Sequence, residues 1–360
     1  MNKIKICFVI PSLRAGGAER VMSFLAEHID KKTFSSELLI IESEKDKSYE
    51  IKDIPITYLN KNRVRDGIWA IAKHLKRNKV DIAVSSMGHV NTLMAILSIF
   101  SNKTKFVGRE AIVRSATNKV QGLPLYPTPL SKLIYKVQMR YLDAIICQSN
   151  DMRDDLYKNY GFPNDKLITL NNPITHQFRL KKNRKRNDII QLITVGRFAI
   201  QKGHLRLLKA LSRYNMPFHY TMIGSGEGHE KIFAFIDEHG LSDKITHVPF
   251  TDNVQQYLEK SDLYLLGSYV EGFPNSLLEA CAVGTPVLAF KAPGGIDEII
   301  IEGVNGYLAD NEEDFLKKLE KSVKKEWVPE AISKSVTDRY SAEIILEKYK
   351  NFFLDLHSQN

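Results

Sequence analysis

The stretch Leu263–Phe290 reads LYLLGSYVEGFPNSLLEACAVGTPVLAF. Its two ends, Leu263–Gly267 and Pro286–Phe290, are short apolar runs that read as strands. Between them Asn275–Val283 reads as a helix, entered through Pro274, whose fixed φ suits a first helical turn. Strand, helix and strand in succession form a crossover unit, the building block of a parallel sheet. Short apolar strands separated by helices imply that both faces of the sheet are covered.

The same alternation runs outward from this stretch. Upstream come strands Ile189–Val195, His219–Ile223 and Ile245–Val248, with helices Leu205–Leu211, Glu230–His239 and Val254–Lys260 between them. The first half repeats the pattern with strands Ile4–Ile10, Ser36–Ile41, Asp81–Ser85, Lys105–Gly108 and Ala144–Cys147. Its helices are Ala18–His28, Ile68–Lys76, Thr92–Phe100, Ser131–Tyr141 and Asp151–Tyr160. The two series are separated by RLKKNRKRND, residues 179–188, a basic stretch with no hydrophobic period that reads as a linker. The expectation is two doubly wound α/β domains, residues 1–178 and 189–340, with a cleft between them. Ligands in such sheets sit at the carboxyl ends of the strands. The amphipathic helix Ala342–His357 is expected to pack back, with residues 341–360, on the first domain.

A length of 360 residues suits two cores better than one. With 43% hydrophobic and 26% charged residues, the composition is that of a globular enzyme. No apolar run approaches the ~20 residues that span a bilayer. The start, MNKIKICFVIPSL, carries an apolar run, Ile6–Ile10, that is too short for a signal-peptide core. It reads instead as a buried first strand. Cys7, Cys147 and Cys281 lie in apolar surroundings without metal-type spacing, which suggests buried thiols in a reducing compartment and a cytoplasmic protein. Charge is uneven. Residues 1–186 hold 33 Lys and Arg against 17 Asp and Glu, a net +16, while the remainder is −7. A basic half fits nucleic acid, an anionic membrane face or a phosphorylated substrate, and for any single lysine a solvated surface.

Chemistry concentrates at strand ends. Gly16-Gly17 stand between the first strand and its helix, where glycine lets backbone approach a ligand and a helix N-terminus offers N–H groups to a phosphate. A tight turn alone would use the same pair. After Ile189–Val195 come Arg197 and Lys202, two cations placed for a diphosphate: arginine forks to two oxygens and lysine acts as a point charge. Gly224-Ser-Gly226-Glu-Gly228 superficially matches a dinucleotide fingerprint but lacks its spacing, and reads as a flexible loop near a nucleotide. Asn275, Ser276 and Leu277 open a helix with a positive end. Glu271 lies on the loop before that helix and Glu279 one turn into it. Two carboxylates bracketing an anion-holding helix end suit the hydroxyls of sugar and ribose. Either one alone would read as a cap or a surface charge.

Together these residues resemble the retaining glycosyltransferases of family four, which have the GT-B fold: two Rossmann-like domains with the donor in the cleft between them. The resemblance covers nearly the whole chain and is densest from Leu192 to Ala309. It is carried by Gly16-Gly17, GRFAIQKG, IGSGEG, the Glu-x7-Glu pair of EGFPNSLLEA, AVGTPVLAF and GGIDEIIIEGVNGYLA. It implies that Arg197 and Lys202 neutralise the departing diphosphate, Glu279 binds ribose hydroxyls and Glu271 binds hydroxyls of the donor sugar. Backbone amides around Phe273, Pro274, Asn275, Ser276 and Leu277 would contact sugar and phosphate. Gly17 would approach the diphosphate from the first domain, and Thr246–Phe250, with Val248 and Pro249, would lie against the base. It implies metal-independent transfer with retention, the leaving phosphate helping to deprotonate the acceptor, and no cofactor. A uridine nucleotide is the commoner donor among similar chains. The sequence departs from the family at one point. Many relatives carry a histidine after the strand that ends at Gly108, whereas this chain reads Arg109-Glu110-Ala111. Arg109 and Glu110 are the acceptor-side candidates, with His89 of SMGHVN a third.

The resemblance further implies a saccharide acceptor, lipid-linked, in bacterial capsule, O-antigen or exopolysaccharide biosynthesis. The basic first domain would then meet an anionic membrane, placing the protein peripherally on the inner face of the plasma membrane. A nucleotide-sugar epimerase shares the architecture and is the alternative, although the acid/base set such enzymes need is not visible. Nucleic acid is not an expected partner, because RLKKNRKRND interleaves no aromatic residue.

Overall fold

The computed structural model describes residues 3–14, 16–48, 50–101, 103–120, 129–175, 177–182 and 188–359. Its first sheet holds β1 (Ile4–Ile10), β2 (Phe34–Ile40), β3 (Ile56–Tyr58), β4 (Ile82–Ser86), β5 (Lys105–Arg109), β6 (Ala144–Cys147) and β7 (Leu167–Thr169). All pair in parallel, in the order β3-β2-β1-β4-β5-β6-β7. The second sheet holds β8 (Ile190–Val195), β9 (Phe218–Ile223), β10 (Ile245–Val248), β11 (Leu263–Leu266), β12 (Val287–Phe290) and β13 (Gly306–Ala309). It too is parallel, in the order β10-β9-β8-β11-β12-β13. The winding direction reverses between β1 and β4 in one sheet and between β8 and β11 in the other, which creates a crevice at the carboxyl ends of those strands. Two doubly wound parallel sheets are the GT-B arrangement expected from the sequence.

The chain divides into two compact units. One takes the described residues of Met1–Arg114, Tyr126–Pro173 and Ala342–Asn360, and the other those of Ser115–Leu125 and Ile174–Ser341. The central strands β1, β4, β11 and β12 are buried along nearly their whole length, as an unbroken apolar run dictates. In the second unit Phe198, Leu207, Tyr220, Met222, Leu265, Leu288, Phe290 and Phe315 form one core. Phe198, in the loop after β8, is part of that core.

The final helix, Ala342–Ser358, belongs to the first unit. Phe353 is fully buried, edge-on to Phe8 of β1 at 6.3 Å and to Phe34 of β2 at 6.1 Å. Lys350 meets Asp30 at 3.3 Å on the same side.

Three strands escaped the sequence reading: β3, β7 and β13. All three lie at a sheet edge; β3 and β7 have three residues, too few for a hydrophobic pattern to register, and β13 (GYLA) opens on a glycine that breaks the apolar run. Helices Glu312–Lys324 and Pro329–Tyr340 were also unforeseen. Helix Gly88–Ser98 begins four residues before the expected Thr92, directly after Met87, whose φ of 75° turns the chain. Of the expected linker, residues 183–187 lie outside the described residues. Its first part is not a free tether: the Arg179 amide donates to Gln255 Oε1 at 3.0 Å, and Lys181 Nζ donates to the Ser261 carbonyl and the Thr285 hydroxyl at 3.1 and 3.0 Å.

Removing the Phe353 ring opens a cavity between the last helix and the first sheet. Phe353→Ala is expected to lose about 3–5 kcal/mol in equilibrium urea unfolding. A loss below about 1 kcal/mol would show that the helix contributes little to that core.

Candidate functional site

Three loops of the second unit converge at the carboxyl ends of β8, β9 and β11. The loop after β8 is held to the next by Gly196 and Phe198, whose amides donate to the carbonyls of Ile223 and Ser225 at 2.9 Å each. On its other side the Tyr269 amide donates to the Gln201 carbonyl at 2.8 Å. Gly203 makes this approach possible. Its φ is +63°, and a β-carbon there would lie 2.0 Å from the Gly267 carbonyl oxygen.

Glu271 stands at the centre. Its carboxylate accepts from Lys202 Nζ at 2.7 and 2.9 Å and from the Ser268 hydroxyl at 2.6 Å. The Glu271 side chain is 7% exposed and that of Lys202 22%, so the pair is shielded while the ammonium keeps an open side. A buried carboxylate without such partners would carry a large desolvation cost. The Glu271 amide donates to the Pro293 carbonyl at 2.9 Å. Gly294, with φ +120°, lets the loop after β12 pass directly against it: a β-carbon there would lie 2.3 Å from the Glu271 carbonyl oxygen.

The helix Asn275–Val283 starts next to this pair. Pro274 is its N-cap, directly before the first helical residue that the sequence indicates, and its own side chain makes no capping bond. The amides of a first helical turn have no carbonyl behind them within the helix, and the helix dipole makes this end positive. The Ser276 hydroxyl is fixed by the buried Tyr264 hydroxyl, which donates to it at 2.7 Å. Burial drives the Tyr264 phenol far above its usual range, so it remains a neutral donor. Leu277 is buried, and Glu279, one turn in, is 5% exposed. Neither glutamate is therefore an ordinary surface carboxylate. Phe273 is buried and packs edge-on to Tyr340 at 5.2 Å.

Arg197 is exposed, and its backbone is held by His204, whose Nε2 lies 3.0 Å from the Arg197 carbonyl. Sequence reasoning missed His204. It follows the Lys202-Gly203 pair immediately, but its partner lies seven residues back across the loop. On the β9 side, the Gly224 amide donates to the Val248 carbonyl at 2.9 Å, and His247 Nε2 lies 2.8 Å from the Gly224 carbonyl. Val248 is half-buried, and Pro249 beside it is exposed. Arg197, Lys202, Gly224 and Glu271 thus lie just beyond the carboxyl ends of their strands, Val248 at the end of β10, and Ser276 and Glu279 on the helix that follows β11.

The remaining candidates belong to the first unit. Gly16 is the N-cap of helix Gly17–His28, and the Glu19 carboxylate packs against it. Arg109 is fully buried at the end of β5, with its guanidinium on Asn172 and Ser86. Glu110 is 1% exposed and accepts from Arg114 at 2.7 and 3.0 Å, from Asn91 at 3.1 Å and from the Tyr135 hydroxyl at 3.1 Å. Four donors occupy this carboxylate within the unit. His89 is exposed at the second position of helix Gly88–Ser98. Among the described residues, Cys7, Glu37 and His74 bring three donor atoms within 4.8 Å of one another, a set the sequence spacing did not suggest. His74 Nε2 and Glu37 Oε1 already bond at 2.9 Å, with Asn78 reaching Glu37 at 3.1 Å.

Comparison with known proteins gives a consistent picture. The family model "Glycosyltransferase Family 4" matches residues 15–178, and "Glycosyl transferases group 1" matches residues 176–339. A Campylobacter jejuni N-acetylgalactosamine-N,N'-diacetylbacillosaminyl-diphospho-undecaprenol 4-alpha-N-acetylgalactosaminyltransferase is 25% identical over 334 residues, 88% of this chain and 89% of its own. The Escherichia coli lipopolysaccharide 1,6-galactosyltransferase is 28% identical over 195 residues, 52% of this chain and 54% of its own. Among solved structures, Anabaena HepE in complex with UDP and glucose superposes with a TM-score of 0.79 at 15% identity, over 98% of this chain and all of its own.

His204 gives a test of the loop it supports. Burial pushes its imidazole down to about 4, against the opposing pull of the Arg197 carbonyl. The unfolded chain takes up this proton near 6.5, and the folded chain does so only near 4. The stabilising difference is therefore complete above pH 6.5 and is lost as pH falls towards 4, by roughly 2–3 kcal/mol. Urea midpoints measured through this window are expected to fall, and His204→Gln is expected to flatten the slope. An unchanged slope in the variant would assign the acid sensitivity elsewhere.

Proposed function

Because the chain belongs to glycosyltransferase family four, we propose that it moves a hexose or N-acetylhexosamine from a uridine diphosphate sugar to a saccharide acceptor, with retention at the anomeric carbon. The observation that carries this reading is the Lys202–Glu271–Ser268 cluster beside the start of helix Asn275–Val283. A positive helix end, an ammonium with an open side and the Arg197 guanidinium suit a diphosphate. Glu279 takes the ribose hydroxyls and Glu271 those of the sugar, while Val248 and Pro249 flank the base.

In the reaction the bond between the anomeric carbon and the diphosphate oxygen breaks, and its electron pair leaves with the nucleotide. The acceptor hydroxyl bonds to the same face of that carbon, and its proton passes to the departing phosphate. Arg197 and Lys202 stabilise the growing phosphate charge without a metal. Glu271 holds Lys202 in place before substrate arrives, so the ammonium needs little reorganisation. The two glutamates act as hydroxyl clamps and not as an acid/base couple.

The acceptor we propose is lipid-linked, in bacterial surface polysaccharide synthesis, with the enzyme peripheral to the inner face of the plasma membrane. The Campylobacter relative, a diphospho-undecaprenol-linked N-acetylgalactosaminyltransferase, and the Escherichia relative, a lipopolysaccharide galactosyltransferase, support this choice. No helix among the described residues is long and apolar enough to cross a membrane. The epimerase alternative loses its support, since both matching family models are glycosyltransferase models.

Uridine diphosphate is expected to raise the melting temperature more than guanosine diphosphate, and a chain stabilised by neither contradicts the donor site. Glu279→Ala is expected to weaken nucleotide binding about tenfold or more while turnover at saturation changes less. Lys202→Ala is expected to lower kcat by about 10²–10³. Unchanged turnover in the lysine variant would reject this division of roles.

A further inference from the structure

Strands β1 and β2 place Cys7 and Glu37 side by side, as register partners on one face of the first sheet. The helix Ile68–Asn78 brings His74 and Asn78 to the same place, four residues apart and so on one side of the helix. The Cys7 sulfur, a Glu37 carboxylate oxygen and a His74 ring nitrogen lie within 4.8 Å of one another. Cys7 is fully buried, whereas the side chains of Glu37 and His74 are 19% and 14% exposed. The cluster is therefore shielded at the sheet and reachable from solvent past the glutamate and the histidine.

Hydrogen bonds leave this cluster incompletely matched. His74 Nε2 stands 2.9 Å from Glu37 Oε1 and 3.0 Å from Asn78 Nδ2. An ionised carboxylate oxygen only accepts, and an amide nitrogen only donates. With a proton, Nε2 suits Glu37 and opposes Asn78. Without one, it suits Asn78 and opposes Glu37. A cation bound by Nε2, Glu37 Oε1 and the Cys7 sulfur resolves the choice, because all three then point lone pairs at one centre. Asn78 keeps its 3.1 Å bond to Glu37 Oε2, the kind of outer contact that orients a ligating carboxylate.

We propose that Cys7, Glu37 and His74 hold a zinc ion, with water as its fourth ligand. Thiolate, imidazole and carboxylate together select a borderline-soft cation over magnesium or calcium, which take oxygen sets. Bonds of ~2.0 Å to nitrogen and oxygen and ~2.3 Å to sulfur put tetrahedral ligand atoms about 3.3–3.8 Å apart, so small side-chain shifts close the site. On binding, the Cys7 proton leaves to solvent and His74 carries its own on Nδ1. Thiolate and carboxylate then balance the two positive charges, and no uncompensated charge is buried. None of the three residues is assigned to sugar transfer. The ion fastens β1, β2 and the helix Ile68–Asn78 together within the first unit and takes no part in the chemistry.

Full-length protein, freed of metal with a chelator, is titrated with zinc against a chromophoric competitor and separately with cobalt. One equivalent of zinc is expected to bind and to raise the melting temperature, while magnesium does neither. Cobalt is expected to give a thiolate-to-metal charge-transfer band, which Cys7→Ser abolishes. His74→Gln is expected to weaken zinc at least about tenfold, the cost of losing even an outer hydrogen bond to a ligand. Cooperative urea unfolding in the presence of chelator shows that each variant folds, and the partly exposed His74 decides the case if Cys7→Ser does not. Absence of stoichiometric zinc, a cobalt complex without the band, or unchanged zinc affinity in His74→Gln overturns the assignment. So does a band that persists in Cys7→Ser, which would place the metal on Cys147 or Cys281.

Discussion

A carboxylate taken out of water must be given a cation and hydrogen-bond donors, and the second unit is arranged around meeting that demand at Glu271. Lys202 and Ser268 supply them at 2.6–2.9 Å. Lys202 comes from the loop after β8 and Glu271 from the loop after β11, two strands that are neighbours only because the winding reverses between them. The loops meet closely enough because Gly203 and Gly267 have no side chains to keep them apart. Gly294 allows the loop after β12 to close on Glu271 from the other side. Strand order, glycine placement and one ion pair therefore depend on one another, and changing any of them moves the others.

The pair also accounts for the division of labour proposed for the two glutamates. Glu271 is committed to holding an ammonium, so its charge is balanced before any ligand arrives. Lys202 still has an exposed side on which to meet an incoming anion. The helix that starts at Asn275 adds a positive end, and the buried Tyr264 hydroxyl fixes Ser276 at its first turn. The result is a concentration of fixed positive dipole and mobile cation at one edge of one sheet, suited to the charge that grows on a departing phosphate.

The first unit follows a different rule. Its buried ions are consumed internally: Glu110 by Arg114, Asn91 and Tyr135, and Arg109 by Asn172 and Ser86. Between Asp81 and Asp143 the sequence holds a single acidic residue, Glu110, and its burial leaves the outside of that segment without carboxylates. The electrostatic character of its surface thus follows from how its interior is satisfied.

What the sequence determined by itself was the alternation of strand and helix, because apolar periodicity and helix boundaries are local properties. Helices Asn275–Val283 and Val254–Lys260 and strands Ala144–Cys147 and Ile245–Val248 were legible to the residue. The positions of Arg197, Lys202 and Glu271 just beyond strand ends, and of Glu279 on the helix that follows, could be placed from the sequence too. Three-residue edge strands such as Leu167–Thr169 were not, because they carry too few residues for a period. Only the tertiary structure decided which partner each charge takes. Lys202 and Glu271 are 69 residues apart, and nothing local distinguishes a lysine that holds a carboxylate from one that faces water. The donors that occupy Glu110 lie up to 25 residues away, so its partners could not be read from the sequence around it. Pairing of buried charge depends on loops brought together by strand order, and strand order is a property of the folded sheet, not of any one segment.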